Sequence, residues 1–211
     1  MNTIEKCKNL VRAIYNEFDA SHDFQHIERV MKNAQLIAKQ EGEVRLDLIE
    51  LAVLLHDVSD VKYSGSEGKA KETAILDQLE LSENDRQWIA EIIESVSFSG
   101  GNEKTATTIE AKIVRDADRL DAIGAVGIAR TFAFGGAKGR KLYDWSEIVR
   151  MNMSEKDYRS KETASATHFY EKLFLLKDLM VTETGKKLAL QRHEFMLSFI
   201  EQLKIETSEE L

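Results

Sequence analysis

Between Leu48 and Leu55 the chain reads Leu-Ile-Glu-Leu-Ala-Val-Leu-Leu, apolar nearly all round at helical spacing. A helix with so little polar face cannot sit on a surface and must be wrapped by other elements. It is also far too short to cross a membrane. The spacing predicts a central, buried helix from about Asp47, and the surrounding sequence supplies helical partners. Ile4, Leu10, Val11, Ile14 and Phe18 line one predicted helix. A second begins near Asp23 and turns Phe24, Ile27, Val30, Met31, Ala34 and Ile37 inward. No proline occurs anywhere in the 211 residues, so the strongest helix breaker is missing.

Polar, glycine-bearing stretches from Asp60 to Gly68 and from Ser97 to Thr107 read as loops. Between them, helices are expected from Lys69 to Leu79 and from Asn84 to Val96. Ser82 and Asp85 have the spacing of a capping box. A long helical region is expected from Ile109 to Phe132, broken near Gly124 or Gly127 and ended by Gly135 and Gly136. A loop then runs to about Trp145, and the polar stretch Met153 to Lys161 is expected to be mobile. Two final helices are expected, from Thr163 to Met180 and from Thr184 to Ile205. The fold class is therefore all-α. It is read as one domain over 1–211, with a core of about 20–135 and a C-terminal helical extension of about 145–207.

The formal net charge of -8 argues against a nucleic-acid polymer as partner, because an acidic surface repels a phosphate backbone. One small phosphorylated ligand remains compatible with a few converging cations. Cys7 is the one cysteine, so no intrachain disulfide forms. The N-terminus carries no signal-peptide pattern, and a cytoplasmic protein without a membrane partner is expected. Oligomeric state is not readable from the chain.

Three segments carry chemistry. His56 and Asp57 close the buried helix, where two ionisable groups are costly unless paired. A divalent metal would pair them; alternatively His56 caps the helix and Asp57 opens the loop. Upstream, His22, His26 and Arg29 have spacings that place them on one helix face, suited to a metal and a phosphate or simply solvated. Downstream, Asp116, Asp118 and Asp121 sit with Arg115 and Arg119 among buried aliphatics. Such charges are usually paired, either with a metal or with one another.

The order His, then His-Asp, then Asp resembles the HD superfamily of metal-dependent phosphohydrolases. Ser21-His22-Asp23 leading to His26, the run His56-Asp57-Val58-Ser59-Asp60, and the stretch from Asp116 to Gly136 look like its YedJ/YpgQ-type branch. So do His168 to Leu173 and Lys177 to Met180. The resemblance spans about Ser21 to Phe199. It implies an HD-domain helical bundle with additional C-terminal helices, and one divalent metal held by His26, His56, Asp57 and Asp118. Manganese is the first choice, with magnesium, iron, cobalt, nickel or zinc as alternatives. Asp60 matches the position of a catalytic acid in some relatives; its bland alternative is a turn-capping aspartate. Arg29, Lys62 and Arg119 are candidate phosphate-binding cations, and His22 a candidate donor. By resemblance only, His168 and Lys172 join them.

The resemblance implies pyrophosphohydrolysis of nucleoside or deoxynucleoside triphosphates; the residues themselves imply only phosphate-ester or phosphoanhydride chemistry. The alternatives are a nucleotide monophosphatase, a phosphodiesterase, or a non-catalytic metal or nucleotide sensor.

Overall fold

The computed structural model describes residues 2–19, 22–60, 64–96, 105–150 and 163–208. Lys62, Ser21, most of the 97–107 stretch and all of Met153 to Lys161 lie outside them. Two units divide the chain, Met1–Asp118 and Arg119–Leu211. No strand occurs among the described residues, and no helix among them is long and apolar enough to cross a membrane.

The first unit holds α1 (Thr3–Tyr15), α2 (Phe24–Glu41), α3 (Leu46–Leu55), α4 (Gly68–Gln78) and α5 (Glu83–Val96). A 3₁₀ turn, Gly65–Glu67, leads into α4. α3 is the predicted central helix: α1, α2 and α5 all pack against it. Its residues Leu48, Ile49 and Leu51 to Leu55 are at most 2% exposed. At about 1.5–3 kcal/mol per large aliphatic side chain, this burial is a leading stabilising term.

Local chemistry sets the helix ends. The Asp23 carboxylate accepts from the His26 amide at 3.2 Å, so α2 starts at Phe24. Ser82 Oγ accepts from the Asp85 amide at 3.1 Å, as the capping-box spacing predicts. Gly124, with φ of 76°, separates α6 (Ile109–Asp121) from α7 (Gly124–Ala137). Side chains rarely adopt that backbone conformation, and a Cβ there would meet Arg192 Cγ at 2.9 Å. The predicted break is therefore real, but α7 runs on through Gly135 and Gly136 to Ala137.

The second unit also contains α8 (Thr167–Glu171), a 3₁₀ helix (Leu173–Leu179) and α9 (Glu183–Thr207). α9 packs on α7 and on the 3₁₀ helix. The single helix expected from Thr163 to Met180 does not form. Lys172, with φ of -140°, ends α8 after little more than a turn. Beyond it the buried residues are Leu173 and Leu176, three apart. That spacing suits three residues per turn, so a tighter helix buries both.

Candidate metal centre

A helix C-terminus leaves its last carbonyls without helical partners. At the end of α3, the Nδ1 of His56 donates to the Val53 carbonyl at 2.8 Å. A carbonyl only accepts, so the Nδ1 position carries a proton and Nε2 is the nitrogen a metal would take, displacing any proton there. That Nε2 lies 3.4 Å from Nε2 of His26, which is fully buried on the first turn of α2.

The Asp23 cap fixes the backbone that carries His26, and the position corrects one expectation. His22 precedes the cap, so it is not on the helix and shares no helix face with His26 and Arg29. Nor is His26 on a solvated face. The His22 ring still lies 5.5 Å from the His26 ring, edge on.

Two carboxylates complete the group. Asp57 Oδ2 lies 3.5 Å from His26 Nε2, and Asp57 Oδ1 lies 3.5 Å from His56 Nε2. Asp118 Oδ1, on α6, lies 3.5 Å from His26 Nε2 and 3.7 Å from His56 Nε2. Donor atoms of His26, His56 and Asp118 all fall within 4.8 Å of one another. Two ligands bound about 2.1 Å from one ion stand roughly 3.0 to 3.4 Å apart, from right-angled to tetrahedral arrangements. The observed separations sit at or just above the top of that range. Asp57 Oδ2 is buried with no hydrogen-bond partner among the described residues. An orphaned carboxylate oxygen on a residue set between two imidazoles suits a cation. Mixed nitrogen and oxygen donors fit a divalent transition metal.

The electrostatics agree. Burial acts against the charged form of His56, yet Asp57 and Asp118 outweigh it and raise its pKa to about 9. Burial likewise opposes ionisation of Asp57 and Asp118, but the imidazoles hold both carboxyls below the usual range. The pocket is built for positive charge.

The HD domain family model matches residues 23–123, from the α2 cap to just past α6. YpgQ of Bacillus subtilis (strain 168) is 38% identical over 205 residues, covering 95% of this chain and 91% of YpgQ. Its crystal structure in complex with ADP superposes with a TM-score of 0.74 at 34% identity, covering 98% of each chain. A Bacillus thuringiensis HD-superfamily hydrolase is 42% identical, with a TM-score of 0.73 over 98% of this chain and 97% of that one. A Lactobacillus plantarum protein reaches a TM-score of 0.88 at 34% identity, over 97% and 96% of the two chains. The chain belongs to the HD superfamily. It is a metal-dependent phosphohydrolase of the YpgQ-like kind.

HD domains bind divalent metals, and the remaining candidates can be placed with that in mind. Of the three acids on α6, Asp118 joins the imidazoles. Asp116 is fully buried, and Asp121 pairs with Arg130 at 2.7 Å. Asp60 is half-buried; its amide donates to the Asp57 carbonyl at 3.1 Å, and its own carbonyl accepts from the Ser64 amide at 2.8 Å. Arg29 is half-buried one turn beyond His26. Lys62 is outside the described residues. Arg119 is 3% exposed and gives Nη1 to the Leu179 carbonyl at 2.6 Å, so part of its guanidinium is committed to tethering backbone. Burial, reinforced by the positive charge of Lys172, drives the His168 pKa down to about 3. It is therefore neutral at physiological pH, not a cation.

Sequence reasoning missed Tyr15. Its ring is fully buried, and its hydroxyl touches the backbone that carries His56 and Asp57. No motif flags it: it is one apolar-face residue of α1, and its hydroxyl finds a use only when α1 packs on α3.

Proposed function

We propose that the protein hydrolyses nucleoside or deoxynucleoside triphosphates to the monophosphate and pyrophosphate, with manganese as its metal. The observation that carries the reading is the pair of carboxylates facing His26 and His56, Asp57 with one oxygen left without a hydrogen bond and Asp118 beside it, in a chain that matches a relative crystallised with ADP over nearly its full length. His26, His56, Asp57 and Asp118 are the proposed ligands. An ion bound there would lower the pKa of water and neutralise phosphate charge as it develops.

The chain's own groups supply the rest. The Val53 carbonyl keeps His56 in the tautomer that offers Nε2. Asp60, three residues past Asp57, is the proposed proton carrier between the attacking water and the leaving pyrophosphate. His22 and Arg29 are proposed to hold phosphate oxygens beside His26, and Lys62 keeps the same proposed role. For the second unit, the proposal carries phosphate binding by Arg119, His168 and Lys172. There the neutral imidazole of His168 contributes a hydrogen bond rather than charge. One catalytic domain acting on a small soluble nucleotide is the simplest organisation.

The test is a panel of ribo- and deoxyribonucleotides with manganese, in which pyrophosphate and orthophosphate are measured separately. Pyrophosphate from triphosphates is the expected product. Orthophosphate released solely from monophosphates would make the protein a nucleotidase. A linear monophosphate from a cyclic substrate would make it a phosphodiesterase. Metal binding without any turnover would make it a sensor.

A further inference from the structure

The end of α3 is an unusual place to hang two ligands. The helical ladder stops there: the Val58 amide turns back to the Leu55 carbonyl at 3.0 Å instead of reaching Leu54. The Leu54 carbonyl and the Asp57 amide are thereby left to find partners elsewhere. One hydroxyl serves both. Tyr15 Oη donates to the Leu54 carbonyl at 3.0 Å and accepts from the Asp57 amide at 3.3 Å. A phenol has one proton to give and lone pairs to receive, so this double use is chemically complete.

The ring behind the hydroxyl is fixed. Tyr15 is fully buried and packs edge on against Phe18, with centroids 5.4 Å apart. It also lies 6.4 Å from Phe24, the first residue of α2. Arg12, one turn back on α1, covers that Phe24 ring at 4.2 Å. The same aromatic group therefore touches the helix start that carries His26 and the helix end that carries His56 and Asp57.

We propose that Tyr15 is a positioning residue for the metal centre. Its hydroxyl pins the backbone between Leu54 and Asp57, and so holds His56 and Asp57 in ligand geometry before any metal arrives. This rests on the metal-site reading above. Groups that orient metal ligands from behind commonly set affinity by roughly 10- to 100-fold.

The experiment compares the parent with Tyr15→Phe, which removes the hydroxyl and keeps the ring. Val11→Ala serves as the control; it hollows the same helix at a fully buried position one turn earlier, away from the site. Manganese affinity is measured on each by competition with a chelator, and Tm on each metal-free protein. Tyr15→Phe is expected to bind manganese roughly 10-fold or more weakly. Val11→Ala is expected to lose Tm but keep the parent affinity. Equal affinity losses in both variants would mean general destabilisation and overturn the proposal, as would parent affinity in Tyr15→Phe. Should Tyr15→Phe fail to fold, amide hydrogen exchange in the metal-free parent decides. Slow exchange at Asp57 supports the pinned backbone, and exchange at the rate of an open loop overturns it. A parent that binds no divalent ion overturns the metal-site reading itself, a result visible before any variant is made.

Discussion

Two buried carboxylates of the second unit and two part-buried ones of the first have opposite kinds of partner. In the second unit, Glu171 is 1% exposed at its side chain and receives Arg150 on both oxygens, at 2.7 and 3.0 Å. Asp121 receives Arg130 at 2.7 Å. In the first unit, Asp57 and Asp118 face imidazole nitrogens at 3.5 to 3.7 Å, and Asp57 Oδ2 has no hydrogen bond among the described residues. A buried acid closed by its own arginine is a structural element. A part-buried acid set against imidazoles, with an oxygen left over, is a place for a cation. The partner a carboxylate is given thus separates scaffold from chemistry.

The hardest test of that contrast is Asp57→Ala. Metal binding and turnover are expected to disappear together, by several orders of magnitude, while the helical circular-dichroism signal stays. Exhaustive chelation of the parent should reproduce the loss. Full activity in either case would erase the distinction between the two kinds of acid.

Asp60→Asn sharpens it by separating holding from reacting. A carboxamide keeps the shape but carries no proton between water and leaving group. Turnover is expected to fall by roughly 100-fold, with metal content and KM close to the parent. A parent-like rate would make Asp60 structural. Loss of metal would move it among the ligands.

Glu171→Gln probes the scaffold side. Breaking one partner of a buried pair costs about 3 kcal/mol, so Tm should drop while manganese affinity is unchanged. The pH dependence has a definite sign. Burial pushes the Glu171 carboxyl up, but the hydrogen bonds and charge of Arg150 outweigh it and hold its pKa below the ordinary value. A depressed folded pKa stabilises the protein fully above the unfolded value of about 4.3 and loses that contribution as pH falls through the folded one. The Tm gap between parent and variant should therefore be constant near neutrality and close in acid. A gap that widens in acid would contradict the pairing.

The smallest effect is expected on the surface. Asp77 pairs with Arg86 at 2.7 Å but is 64% exposed. Asp77→Ala should cost at most about 1 kcal/mol and vanish in high salt, read by denaturant melts with and without added salt. A larger loss would mean that burial is not what distinguishes the internal pairs.

Periodicity alone made the helices of the first unit readable, because α3 is too apolar to lie anywhere but inside and its neighbours show one-sided stripes. Caps were readable where a side chain makes them within four residues, as at Asp23 and Ser82. The stretch after Thr163 was not. Its dense leucines fit an α-helix as well as the tighter turn that buries Leu173 and Leu176, and the packing of α9 against it selects the second. In the site, the order of His26, His56, Asp57 and Asp118 stood out from their residue types and from the family resemblance. The choice of Asp118 among the three α6 acids came from the resemblance; the residues alone left Asp116 and Asp121 open, since the rotation of the helix decides which acid faces the imidazoles. Local rules reach a few residues along the chain. Tyr15 is 42 residues from Asp57, and the bond between them exists because α1 and α3 pack together, a long-range fact that no residue announces by itself.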